Sequence, residues 1–273
     1  MDLETRDKGL TEHIRPATFP LAIRMIAPGE AFPQRTKRPR SDLGERIAIC
    51  QGFALARHYG WAVGVTAEDV SCPLALAVWG LKPMLGYFLE GMTCAGMYTR
   101  TPAEGVVTEA SVDKWKYGQW QGAVAAPLGR ASFEPHLVLH YGNSAQVMRL
   151  VTTRLWSSGG RLSSSFAGRI DCADAVITTM KTGACQVILP CYGDRVFGQA
   201  QGDEMAFTIP EAHFATIVEG LEGTHKGGVR YPVPKFLRYT GRYPESYERM
   251  EALWEGEETP PERGSRARTE RHV

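Results

Sequence analysis

The chain has 273 residues, with 31 Lys and Arg against 30 Asp and Glu, 43% hydrophobic residues and six cysteines. That composition excludes a disordered chain, a coiled coil and a disulfide-dense miniprotein, and a formal net charge of +1 supplies no global field for nucleic acid or an anionic membrane. A chain of this length buries enough surface to fold without metal or disulfide staples, so the cysteines need another explanation.

In chain order, residues 1–18 read as a polar leader and residues 19–26 as a short strand. Pro28, Pro33 and Pro39, with Arg35, Lys37, Arg38 and Arg40, mark a loop whose basic residues read as a solvated connector rather than an anion site. Asp42 is placed to N-cap a helix over 43–59, with Leu43, Ile47, Cys50, Ala54 and Arg57 at helical spacing and Gly60 as the stop. A β-rich stretch over 61–66 follows. Cys72 then stands at or near the N-cap of a second helix, with Pro73 at its first position and Gly80 at its end. Glycines from Gly86 to Gly129 interrupt the middle, where a helix over 102–116 is predicted. Residues 136–141 form a strand, Gly142 and Asn143 a turn, and 144–156 a helix with Val147, Leu150, Val151 and Leu155 on one face. A strand over 162–166, a helix over 172–181 capped by Asp171, strands over 185–189 and 203–209, and a helix over 210–221 complete the pattern.

Strands alternating with helices predict a single compact α/β or α+β domain over 19–240, with a mixed sheet and flanking helices. Residues 241–273 are polar, with almost no apolar residue after Glu257, and predict a disordered tail. The start of the chain lacks the basic and apolar regions of a secretory signal, and no run reaches the ~18 apolar residues of a membrane span. The expectation is a cytoplasmic, soluble protein with no nucleic-acid or membrane partner. In that compartment thiols serve as core residues, metal ligands or redox groups.

No GxGxxG follows a strand, and no P-loop, HExxH, GxSxG or paired CxxC is present. His136 and His140 share one side of a strand and read as sheet residues rather than a metal pair. Trp115, Tyr117 and Trp120 lie near Lys114 and Lys116, but without a wider basic surface they read as packing groups rather than a base-stacking platform.

The segments Cys50-Gln51, Cys72-Pro73, Cys172-Ala173-Asp174-Ala175 and Cys191-Tyr192-Gly193-Asp194-Arg195 occur with the opening Pro20-Leu21-Ala22-Ile23-Arg24, Thr66-Ala67-Glu68-Asp69, and Glu204-Met205 before Ile209-Pro210. Together, in this order, they resemble the archaeal cysteine-rich domain of unknown function 169, over roughly residues 20–221. The resemblance implies a compact cytosolic domain and no established activity. The arginine-rich tail, Cys94 and Cys185 depart from the family's pattern.

The four matching cysteines suit a shared site. A helix N-terminus presents free N–H groups to Cys72 and Cys172, which lowers a thiol pKa and favours an anionic cluster. Cys191 follows a strand end, and Cys50 lies within a helix. The leading expectation is therefore a 4Fe-4S cluster on Cys50, Cys72, Cys172 and Cys191, with a redox or small-molecule-related role and a neighbouring ligand pocket. Asp194 and Arg195 would support it, Arg195 through charge-assisted hydrogen bonds. Cys94 is an alternative ligand, and Cys185 reads as core. Zinc fits less well, since structural zinc sites draw on closely spaced pairs. Two other readings stay open: a metal-free enzyme with Cys72 or Cys172 as nucleophile, and a non-catalytic ligand-binding or regulatory domain with packed cysteines.

Overall fold

Six strands, β1 (Leu21–Ile26), β2 (Val63–Thr66), β3 (Gly122–Pro127), β4 (Leu137–Asn143), β5 (Gln186–Ile188) and β6 (Glu204–Pro210), join in the order β2-β3-β1-β4-β6-β5. They belong to a computed structural model that describes residues 2–235 and 243–256. The helices are α1 (Leu3–Ile14), α2 (Ile49–Tyr59), α3 (Pro73–Val78), α4 (Gly86–Leu89), α5 (Pro102–Ser111), α6 (Ser144–Leu155), α7 (Asp171–Ala173), α8 (Thr179–Thr182), α9 (Tyr192–Phe197), α10 (Phe214–Lys226) and α11 (Glu245–Trp254). A π-helical turn, Asp174–Thr178, joins α7 to α8 without a break. All strand pairings of the sheet are antiparallel, so the α+β class holds while the expected mixed sheet is corrected.

Both faces of the sheet are covered, which is why successive residues of β1, β3 and β4 are buried on both sides rather than alternating with exposed ones. Along β1, Leu21, Ile23 and Met25 enter one core, while Ala22 and Ile26 enter the other. The first core is closed by Phe53 and Ala56 of α2, Leu76 and Val78 of α3, and Val176 and Ile177 of the π-helical turn. The second is closed by Leu10 and Ile14 of α1, Val147 and Leu150 of α6, and Phe214, Ile217 and Leu221 of α10. The fold is thus helix layer, antiparallel sheet, helix layer. Helices α6 and α10 meet closely at Gly220, where an added Cβ would stand 2.3 Å from the Thr153 carbonyl oxygen.

Several local expectations are corrected. The polar leader is largely helix: Asp2 Oδ1 accepts the Thr5 amide at 2.7 Å, and Leu10 and Ile14, one turn apart, are buried. Asp42 does not cap α2. Its carboxylate accepts the Arg38 amide in a separate π-helical turn, Pro39–Leu43, and α2 starts at Ile49, where the Ala48 amide donates to Gln51 Oε1 at 2.7 Å. Residues 162–166 form no strand, Asp171 is the first residue of its helix rather than the cap, and α5 stops at Ser111. Gly142 and Asn143 belong to β4, and the Asn143 side chain caps α6 by accepting the Ala145 and Gln146 amides at 3.0 Å. The first compact unit ends at Val233. Within the expected disordered tail, α11 is a helix with no buried residue, and the part of that expectation covering 257–273 lies outside the described residues.

Candidate functional site

The four motif cysteines all stand at helix starts. Cys72 and Cys191 are the N-cap residues of α3 and α9, and Cys50 and Cys172 are the second residues of α2 and α7. A short parallel bridge between Ile47 and Val70 sets the first two together. The Ile47 amide donates to the Asp69 carbonyl and the Ser71 amide to the Ile47 carbonyl, both at 2.8 Å, so Cys50 and Cys72 leave from adjacent points. Asp69 anchors that junction. Its buried carboxylate accepts from Arg38 Nη2 at 2.5 Å, Arg38 Nε at 3.0 Å, the Thr66 amide at 2.9 Å, the Thr66 hydroxyl at 3.0 Å and the Arg40 amide at 3.1 Å. Against its burial, these donors hold Asp69 below the usual carboxylate range. The loop cation Arg38 is therefore a built contact rather than a solvated one.

Cys172 enters from the other chain segment through Ile170, whose left-handed backbone (φ 52°) turns the chain into α7. Cys191 follows β5, and its carbonyl accepts the Arg195 amide at 3.1 Å in the first turn of α9. These segments converge. The Cys50 thiol points at the Gly193 carbonyl, 3.9 Å away. The charges of Cys72 and Cys191 act on Cys50, and those of Cys72, Cys50 and Cys191 act on Cys172.

Burial rather than the helix dipole sets the ionisation of Cys50, Cys172 and Cys191. Desolvation, followed by the carboxylate charges of Asp194 and Asp171, pushes the Cys50 thiol far up. Desolvation and then Asp171 do the same to Cys172. Cys191 is pushed up to about 12 by burial and then by Asp171. The expected lowering of the Cys172 pKa is thereby reversed: an apolar setting and an adjacent carboxylate outweigh the α7 N-terminus.

Beneath the cysteines lies a buried polar chain, of which the sequence assigned only Asp194 to the site. Tyr141, on the site face of β4, donates to Asp194 Oδ2 at 2.9 Å. Arg57 of α2 stacks over the Tyr141 ring at 4.2 Å and donates to Glu204 at 2.8 and 3.1 Å. Asp194 is pushed up to about 8, by burial first and then by the neighbouring Asp171 charge, with Tyr141 and Arg57 opposing. Gly198 admits this packing, because a Cβ there would fall 1.8 Å from Asp194 Oδ1 and 2.9 Å from Cys50 Cβ. The π-helical turn directly after Cys172 carries Asp174, whose carboxyl burial pushes up to about 7.

The expected supporting pair is divided. Asp194 is part of the site, whereas Arg195 donates to the Gln201 carbonyl, and the guanidinium facing Asp194 is that of Arg57. Glu204 and Asp69 fall inside motifs singled out in the sequence. Arg57, Tyr141 and Asp171 carried no such signal for the site, because two lie in apolar runs and the third reads as a cap.

The remaining cysteines stand apart. Cys94 is fully buried against Glu109 Oε1 at 3.4 Å and Nη1 of Arg169, whose guanidinium lies over the Tyr98 ring at 5.0 Å. Tyr98 lies between Cys94 and the main site: burial, then the charge of Cys191, and more weakly that of Cys94, push its hydroxyl up. Cys185 belongs to the second core, as its strand position implies. All six cysteines are free thiols.

His136 Nδ1 accepts the Met25 amide at 3.1 Å, and burial depresses His140 to about 4. Trp115 and Trp120 pack against the first core. Among the described residues, no three His, Cys, Asp or Glu side chains are grouped to hold a metal ion, and no helix is long and apolar enough to cross a membrane.

Comparison with known proteins gives one curated relative, an uncharacterized protein of Methanocaldococcus jannaschii, 32% identical over 100 residues. That match covers 36% of this chain and 43% of the relative, so the chain spans less than half the length of the curated protein it resembles. No solved structure matches. The family model for DUF169, described as uncharacterised ArCR, matches residues 9–220 and encloses β1 and all six cysteines. With this span matched, the chain belongs to the DUF169 family.

Proposed function

We propose that this protein is an iron-sulfur protein in which Cys50, Cys72, Cys172 and Cys191 hold a 4Fe-4S cluster. The observation that carries the reading is the convergence of four thiols from four separate helix starts, each within electrostatic reach of others in the set. The donor set fits a cluster better than a single ion. Four thiols from dispersed segments are the ligand type of a 4Fe-4S cluster, whereas structural zinc sites draw on closely spaced cysteine pairs, and the sequence has no paired CxxC. Cys94 is held by Glu109 and Arg169 and is left out of the ligand set.

A bound cluster supplies one-electron chemistry. The chain's own part is to shield and tune the site. Cys191 is removed from water and pushed up to about 12, so its ligation must release a proton and becomes more favourable as pH rises. Asp194, pushed up by burial and by the neighbouring Asp171 charge, carries less negative charge beneath the thiolates than an ordinary carboxylate. Tyr141 and Arg57 hold it in place. A thiol nucleophile at Cys172 is the weaker reading, since burial and then Asp171 push that thiol away from the thiolate form.

The test is anaerobic purification followed by reconstitution with ferrous iron and sulfide. The expected product has broad visible absorbance with about four iron and four sulfide per chain. A folded but colourless, iron-free product after reconstitution overturns the reading. Loss of colour in Cys50→Ser and Cys172→Ser, with retention in Cys94→Ser, would support the assigned ligand set.

A further inference from the structure

We infer that the open cavity between α3 and α4 binds a small apolar carboxylate, a medium-chain acid in chemical class. The cavity has a volume of about 690 Å³, within the range of small-molecule sites, and it is walled by Leu74, Leu76, Leu85, Tyr87 and Phe88. Leu85 and Tyr87 are 66% and 58% exposed, so the outer wall is an apolar surface open to water, while Leu76 and Phe88 at its base belong to the first core.

The charge among the residues lining this cavity has one sign. Lys82 is its charged lining residue, and no carboxylate lines it. The Lys82 ammonium makes no hydrogen bond or ion pair among the described residues, and the Thr93 hydroxyl in the same wall is already given to Glu109. Lys82 and the Tyr87 hydroxyl thus leave two donors for a ligand oxygen beside an otherwise apolar surface. An apolar chain with an anionic head satisfies both, whereas an amine meets a like charge and a neutral alcohol leaves the ammonium without a counter-charge. Pro73, directly after Cys72, also lines the cavity, so a bound acid lies next to the cysteine site. The inference stands on the cavity alone and does not depend on what the cysteines hold.

Titration calorimetry of the full chain with hexanoate, octanoate and decanoate, and with 1-octanol as the uncharged probe, tests it. Affinity should rise about fourfold per added methylene, the gain expected when each one leaves water. Octanoate should bind at least threefold more tightly than octanol. Lys82→Met should remove that preference while leaving octanol binding unchanged, and Ala77→Phe, which narrows the cavity, should abolish binding of both. The lysine is exposed, so its variant is expected to fold even if the phenylalanine variant does not. Absence of saturable binding, or octanol binding as well as octanoate with no effect of Lys82→Met, overturns the inference. So does a chain that is dimeric as wild type and monomeric as Ala77→Phe, which would assign the cavity wall to a second copy.

Discussion

Replacing Asp69 with Asn removes one negative charge at almost constant shape, and the structure makes the cost calculable. The carboxylate is 1% exposed and accepts five hydrogen bonds, two of them from the Arg38 guanidinium. Asparagine offers one acceptor oxygen, and its amide must face a donor wherever it is turned, so at least one donor loses its partner and the guanidinium loses its counter-charge. Breaking one side of such a pair costs about 3–5 kcal/mol when both partners are buried. Because Arg38 is 28% exposed, the expected loss lies below that range, about 2–3 kcal/mol.

The same carboxylate predicts a pH signature. Its folded pKa lies below the ordinary value of 3.8, so below that value the unfolded chain binds the proton first. Its contribution is therefore complete above the unfolded pKa and is lost as pH falls through the lower folded value, at up to about 1.4 kcal/mol per pH unit. Urea unfolding at pH 7 and at steps down to pH 3 reads both effects. Wild type should lose stability more steeply than Asp69→Asn below about pH 4. The reasoning is refuted if the variant matches wild type at pH 7, or if the two acid limbs run parallel. The variant should also retain less iron after reconstitution, because Asp69 holds the junction that brings Cys50 and Cys72 together.

Three further outcomes follow from the packing. Arg57→Met should destabilise by about 3 kcal/mol or more, since it strands the mostly buried Glu204, whereas Arg100→Ala, in an exposed pair, should leave the urea midpoint unchanged. Gly220→Ala drives a Cβ to 2.3 Å from the Thr153 carbonyl oxygen and should cost about 1–3 kcal/mol by urea unfolding, with the iron content of the folded fraction unaltered. Cys185→Ser, in the second core, should lower the melting temperature but keep the reconstituted absorbance, while Cys191→Ser should lose the absorbance; equal effects on colour would argue against separate roles.

Much of the architecture was legible because apolar runs and backbone punctuation are local. The two-sided burial of β1, the Cys72-Pro73 helix start and the Gly60 stop each depend on a few neighbouring residues. The start of α2 was misplaced because Leu43 and Ile47 continue the helical spacing, while the actual break is made by long-range contacts of Asp69 with Arg38 and Arg40. The first helix was missed because only Leu10 and Ile14 mark its buried side, and their worth depends on α10 lying over them.

The cysteine site divides in the same way. Motif order and the family resemblance selected Cys50, Cys72, Cys172 and Cys191, and of these the local pattern marked only Cys72 and Cys172 as standing at helix starts. Only the tertiary structure decided that these thiols share a neighbourhood, that Arg195 turns to Gln201, and that Arg57 and Tyr141 stand under Asp194. It also reversed the expected ease of ionising Cys172. The reason is one of range: a helix dipole acts over its own first turn and can be read along the chain, whereas desolvation and carboxylate repulsion come from segments distant in sequence and exist only once the chain has folded.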